Sequence, residues 1–168
     1  QQWGLQSPGQ SLTFGRMIAD RRTSVAFTGH RTYRGAAADA LRRTVGELYA
    51  LGFRNFLSGM AVGFDLAAAE AVLELRERAP GVRLVAAVPF RGQEMRFSPA
   101  DRERFRRVLA EADSVEVLAP AYHRGCYAVR NDFLVYNARV LVAWYDGSPG
   151  GTRYTVRRAL GRGLEVVN

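Results

Sequence analysis

Three times in this chain a short apolar run ends in a glycine-bearing turn, and a helical pattern follows. The turns are Thr28-Gly29-His30-Arg31, Ser58-Gly59-Met60-Ala61-Val62-Gly63-Phe64-Asp65 and Gly147-Ser148-Pro149-Gly150-Gly151-Thr152. A chain that alternates strands with helices must lay the strands parallel, because each helix carries it back to the start of the next strand. Right-handed crossovers then cover both faces of the sheet. The expected fold is therefore α/β: a Rossmann-like, mostly parallel sheet with helices on both faces, in a single domain. The turns that follow parallel strands gather along one edge, where ligands bind.

Periodicity fills in the elements. Strands are expected at 24–27, 55–57, 83–88, 114–118, 140–145 and 164–167. The fifth, Val-Leu-Val-Ala-Trp-Tyr, is apolar throughout, as suits the middle of a parallel sheet. Helices are expected at 36–51 (Leu41, Val45 and Leu48 in register), 65–78, from Ser98-Pro99 onward, 123–138 and 152–160. Ser98 is a good N-cap, and Pro99 fits the first helical position. Residues 1–22 lack any period and are rich in Gln, Ser and Gly. They read as a leader or tag remnant outside the fold, leaving 23–168 as the domain.

Composition excludes several classes. The 168 residues suit one domain, and 48% hydrophobic content supplies a core. No apolar run approaches the roughly 20 residues of a membrane helix. A secretory signal is absent, so a cytoplasmic location and no membrane partner are expected. A lone Cys126 forms no internal disulfide and no cysteine zinc cluster, and His30 and His123 are too few for a histidine metal site. The net charge of +8 is carried by arginine alone, since the chain has no lysine. Arginine's planar fork suits phosphate, although a lysine-free chain is also what GC-rich coding produces.

The three turns hold the candidate binding residues: Thr28, Gly29, His30 and Arg31; Ser58, Gly59, Met60, Gly63 and Asp65; Gly150, Gly151 and Thr152. Glycine lets backbone N–H groups approach a phosphate, and a helix N-terminus favours negative charge. Arg31 can pair with phosphate in a bidentate way. His30 is read either as a hydrogen-bonded turn residue or as a site group. Asp65, opening a helix, is either a capping carboxylate or an acceptor for a ribose hydroxyl. Pro89-Phe90 follows the third strand: Phe90 either stacks on a base or plugs the core. Arg130-Asn131 either grips phosphate and sugar or decorates a solvated helix face. Neither GxGxxG nor a P-loop is present.

Taken in order, these stretches resemble the YpsA-like group of the SLOG superfamily, whose relatives include the Lonely Guy phosphoribohydrolases and the DNA-processing protein DprA. The matching residues are Ala26 to Arg31, Ser58 to Asp65 with Ala68-Ala69-Glu70, Val88-Pro89-Phe90 with Gln93-Glu94, Arg130-Asn131, and Gly150-Gly151-Thr152. The resemblance implies a Rossmann-like sheet and a nucleotide-derived ligand. It does not bring the hydrolase machinery with it. Where those enzymes look like Gly-Thr-x-x-Glu, this chain has Thr155 at the glutamate position.

The leading expectation is a sensor or binding module for a small nucleotide such as ADP-ribose, NAD or an AMP-like molecule. One alternative is an N-glycosidic hydrolase in which Asp65 is catalytic, ahead of Glu70 or Glu94. Another is nucleic-acid binding, with Phe90-Arg91 and the segment from Tyr122 to Arg124 stacking bases. Trp144, Tyr127 or Tyr136 could serve a homo-oligomer interface.

Overall fold

The computed structural model describes residues 20–168. Its elements run β1 (Ser24–Gly29), α1 (Ala38–Ala50), β2 (Asn55–Ser58), α2 (Phe64–Arg76), β3 (Arg83–Val88), α3 (Pro99–Glu111), β4 (Ser114–Val117), α4 (Cys126–Tyr136), β5 (Val140–Trp144), α5 (Gly151–Gly161) and β6 (Glu165–Val167). The six strands form one sheet in the order β4-β3-β2-β1-β5-β6, and every pairing is parallel.

Alternation along each strand builds two cores. Val25 and Phe27 of β1, Phe56 of β2, and Leu84, Ala86 and Val88 of β3 face α1, α2 and α3. Ala26, Leu57, Val85, Ala87, Leu141 and Ala143 face α4 and α5 through Phe133, Leu134, Val156 and Ala159. Each strand of the sheet's middle is thus buried on both sides, which is why these runs are so uniformly apolar.

The ends follow local chemistry. Helix α1 begins two residues later than expected. It stops where Gly52 turns left-handed (φ +102°) and Phe53 N–H returns to Leu48 O at 3.0 Å. Ser98 Oγ accepts from Asp101 N–H at 3.2 Å, and Pro99 opens α3 as expected. Helix α4 is shorter than the expected 123–138, because Gly125 sits at φ +88° and cannot extend a right-handed helix. A short 3-10 turn over Gln93–Arg96 was not foreseen.

Within the segment expected as leader, 1–22, Asp20 caps a 3-10 turn at Arg21–Thr23 and its carbonyl accepts from Ser24 Oγ at 2.6 Å, so residues 20–22 pack against the start of β1. The remainder of that segment, 1–19, lies outside the described residues. Among the described residues no helix is long and apolar enough to cross a membrane.

Candidate functional site

β1 lies between β2 and β5, so the chain leaves it in opposite directions on its two flanks. That reversal is the topological switch point, where a crevice opens at the carboxyl ends of the strands. All three glycine turns follow β1, β2 and β5, so they stand side by side at this edge. His30 N–H donates to Trp144 O at 3.3 Å, and Phe64 N–H donates to His30 O at 3.4 Å. The first turn is therefore bonded to the ends of both neighbours.

The glycines are required by packing within the protein. A Cβ on Gly29 would fall 2.4–2.5 Å from Phe64 side-chain atoms. One on Gly59 would fall 2.8–3.0 Å from the Arg130 side chain. Gly63 has φ +83°, and its Cβ would strike the Arg31 carbonyl at 2.6 Å. At Gly29 and Gly59 the missing side chain also has a role in packing within the protein. The space they leave is taken by Phe64 and Arg130. What the turns do is draw the first turn, the second turn and α4 into contact.

Arg130 and Asn131 are 5% and 6% exposed, which removes the solvated-face reading. Arg130 Nη1 donates to Gly59 O, and its Nε donates to Asn131 Oδ1 at 2.8 Å. Asn131 Nδ2 lies 3.7 Å from the Cβ position of Gly151, so α4 bridges the second and third turns. Arg31 stands beside Arg130: their guanidinium carbons lie 5.2 and 5.7 Å from the centre of the same Tyr127 ring. Among the described residues neither arginine has a carboxylate at ion-pair distance. Burial pushes the Arg130 pKa down, and Arg31's charge adds to that effect against the pull of Asp65.

Asp65 is the nearby anion. It is 5% exposed, and its Oδ2 accepts from Ala61 N–H at 3.3 Å. Its Oδ1 is buried with no hydrogen-bond partner. Burial raises its pKa to about 6, against the attraction of Arg130, the Ala61 N–H and Arg31. A carboxyl group in this state holds one oxygen ready for a donor and titrates close to neutrality.

The third turn is tied to the first through His30. His30 Nε2 lies 2.9 Å from Asp146 Oδ1 and 3.2 Å from Asp146 N. Asp146 Oδ1 also accepts from Ser148 N–H at 2.9 Å and from Ser148 Oγ at 2.5 Å. His30 is thus hydrogen-bonded between the turns, as its structural reading had it. Helix α5 opens at Gly150 (φ +137°), a conformation reserved for glycine, with no side-chain cap and no acidic residue in its first turn. Its N–H groups therefore add positive potential to the same edge.

Several named residues lie apart from this cluster or serve it differently. Met60 is fully buried in the core at φ +63°, so its side chain offers nothing to a ligand. Ser58 is fully buried and knots the second turn: Oγ donates to Asp65 O at 2.8 Å and accepts from Met60 N–H. Thr28 and Thr152 are buried at 6% and 7% exposure. Pro89 is buried, and Phe90 plugs a small core with Ala119 and Cys126. The stacking reading of Phe90 is corrected accordingly. Glu70 is held by Arg104 at 2.5 Å, and Glu94 lies 4.0 Å from Arg106, both on the α3 flank. Thr155 is fully buried and donates to Gly151 O at 2.9 Å, so nothing there replaces the missing glutamate. Trp144 packs on Tyr33 at 4.9 Å and His30 at 5.9 Å, within the fold. Among the described residues no group of His, Cys, Asp and Glu could hold a metal ion.

Sequence reasoning missed Asp146 and Arg96. The Asp146-Gly147-Ser148 string carried a readable signal, since Asp commonly bonds the backbone two residues on in a turn. Arg96 carried none.

The YpsA family model, described as "YspA SLOG family", matches residues 26–163. The chain belongs to this SLOG family. A UPF0398 protein of Shouchella clausii (strain KSM-K16) is 38% identical over 94 residues, 54% of this chain and 50% of that protein. A UPF0398 protein of Bacillus thuringiensis (strain Al Hakam) is 29% identical over 132 residues, 77% of this chain and 71% of that protein. The first of these matches spans only half of its relative's length. Among solved structures, DNA processing protein A of Streptococcus pneumoniae superposes with a TM-score of 0.63 at 20% identity, over 86% of this chain and 49% of that one. The Helicobacter pylori protein of the same name, described with a single-stranded DNA binding mode, gives 0.63 at 18%, over 88% and 65%. At these identities the likeness is one of fold, and it agrees with the Rossmann-like sheet seen in this SLOG chain.

Proposed function

We propose that this chain is a binding or sensing module for a nucleotide-derived small molecule, of the ADP-ribose-like or NAD-related type. The observation that carries the reading is the buried guanidinium of Arg130 beside Arg31, with no carboxylate at ion-pair distance. Two like charges side by side repel each other until an anion arrives, and a phosphate relieves that repulsion with charge-assisted hydrogen bonds. Nε and Nη1 of Arg130 are engaged within the protein, which directs Nη2 to the ligand. The unpartnered Oδ1 of Asp65 suits a ribose hydroxyl. Isothermal titration of the full chain with NAD, ADP-ribose, AMP and other nucleoside monophosphates tests it. Binding that weakens with salt is expected, and silence across the panel would overturn the proposal. A single-stranded oligonucleotide belongs in the panel, because its phosphates would meet the same arginines.

A second reading follows from Asp65 alone. A buried carboxyl titrating at about 6 with a vacant oxygen is suited to stabilising an oxocarbenium-like transition state, as in N-glycosidic hydrolysis. Release of free base from labelled nucleotide, lost in Asp65→Asn, supports it. Undiminished turnover in that variant removes it.

A further inference from the structure

Beyond the arginine pair, an aromatic ridge runs along the same sheet edge toward solvent. Tyr127, whose ring receives Arg31 and Arg130, meets Phe90 at 6.0 Å and Tyr122 at 6.3 Å between ring centres. Phe90 and Tyr122 meet edge to face at 5.5 Å and 81°. Arg96 closes the corner, its guanidinium carbon 4.5 Å from the Tyr122 ring centre and 5.4 Å from that of Phe90. The two loops beneath are bonded together, Arg91 N–H to Ala119 O at 3.1 Å and Leu118 N–H to Val88 O at 2.9 Å.

The ridge changes character along its length. Phe90 is 3% exposed and acts as a prop, whereas Tyr122 is 50% exposed. Exposed aromatics are ordinary when their partners are satisfied. Tyr154 is such a case: its hydroxyl donates to Asp132 at 2.9 Å, and the neighbouring Arg158 binds the same carboxylate. Arg96, among the described residues, has no carboxylate at ion-pair distance. An exposed ring propped from below, beside an exposed and uncompensated guanidinium plane, is what a flat base stacks on.

We infer that Tyr122 and Arg96 form a nucleobase subsite, continuous through Tyr127 with the phosphate site at Arg31 and Arg130. The inference rests on the anion-site reading and deepens it. The ligand class is a base joined to a phosphorylated sugar, free or within a single strand. The ridge places the base on the β3–β4 side of the edge and the phosphate on the β1–β5 side.

Three probes separate the parts: ribose 5-phosphate, which lacks a base; AMP; and a short oligothymidylate. Each is titrated into the full chain and its Tyr122→Ala, Tyr122→Phe and Arg96→Ala variants. Tyr122→Ala is expected to weaken AMP or the oligonucleotide about 5- to 100-fold, the worth of one stacked base. Ribose 5-phosphate should bind unchanged, and Tyr122→Phe should retain most affinity. Arg96→Ala, at an exposed position, should show the same base-dependent loss in smaller degree. Loss confined to AMP identifies a free nucleotide, and loss confined to the oligonucleotide identifies a strand; either supports the subsite. Equal binding of AMP, and equal binding of the oligonucleotide, by wild type and Tyr122→Ala overturns the subsite and leaves the anion site standing. Failure of wild type to bind any of the three overturns both.

Discussion

The arginines of the α2–α3 flank and those of the carboxyl edge carry the same charge and lead different lives. On the flank, Arg104 pairs with Glu70 at 2.5 Å and Asp101 at 3.2 Å, Arg76 with Asp113 at 2.7 Å, and Arg107 with Glu103 at 3.5 Å. A shallow cleft of about 290 Å³ lies between these helices, and acids and arginines line it together. At the edge, Arg31, Arg96 and Arg130 rest against Tyr127, Phe90 and Tyr122, with no carboxylate at ion-pair distance among the described residues. The net charge of +8 is therefore a poor guide to function. What matters is where positive charge is left without a partner, since only there does an incoming anion gain more than it displaces.

Replacing Arg130 tests this contrast hardest. Arg130→Met should cost about 2–5 kcal/mol of nucleotide affinity by titration calorimetry, the usual penalty for removing a buried, hydrogen-bonded charge. It should also raise the Asp65 pKa further, because Arg130's attraction favours the ionised carboxylate.

Next comes the pH dependence of folding. Asp65 has a folded-state pKa raised from 3.8 to about 6. The folded state thus holds a proton that the unfolded chain has released. Stability should fall by about 3 kcal/mol as pH rises from about 4 to 6, and stay level above that. In Asp65→Asn that decline should vanish, as urea denaturation across the range would reveal.

Gly59→Ala places a methyl group where the Arg130 side chain lies, and should cost about 1–3 kcal/mol of stability while displacing the guanidinium. Thermal melts and nucleotide titration read both effects together. Arg31→Ala, at an exposed position, should weaken nucleotide binding by about 1 kcal/mol and flatten its salt dependence. Smallest of all is Arg104→Ala, with less than about 1 kcal/mol of stability lost and nucleotide affinity untouched. An equal loss of affinity from Arg104→Ala and Arg31→Ala would erase the distinction between the two regions.

Strand and helix placement were readable because each strand in the sheet's middle is apolar on both sides and each helix carries one stripe; the order of the strands in the sheet was not. Leu41, Val45 and Leu48 announce α1 unaided, and Ser98-Pro99 announces α3. The family resemblance could be drawn from the turns themselves. Burial of polar groups was not readable in the same way. Arg130 and Asn131 sit in a helix whose pattern does not say which face the neighbouring turns will cover. Met60 looks like a turn residue by its neighbours, yet tertiary packing drives it into the core at positive φ. Gly29 and Gly59 stand out in the sequence as turn glycines, but nothing local says that their missing side chains make room for Phe64 and Arg130, residues 35 and 71 positions away in the chain. Such pairings are long-range facts, invisible to local periodicity.

The guanidinium pair of Arg31 and Arg130 is the proposed seat of phosphate binding. The most direct test is calorimetric titration of AMP into the full chain and into Arg130→Met, at low and at raised salt. Saturable binding by the wild type, weakened by salt and lost in the variant, is the predicted result. Equal affinity of the two proteins for AMP would contradict the account.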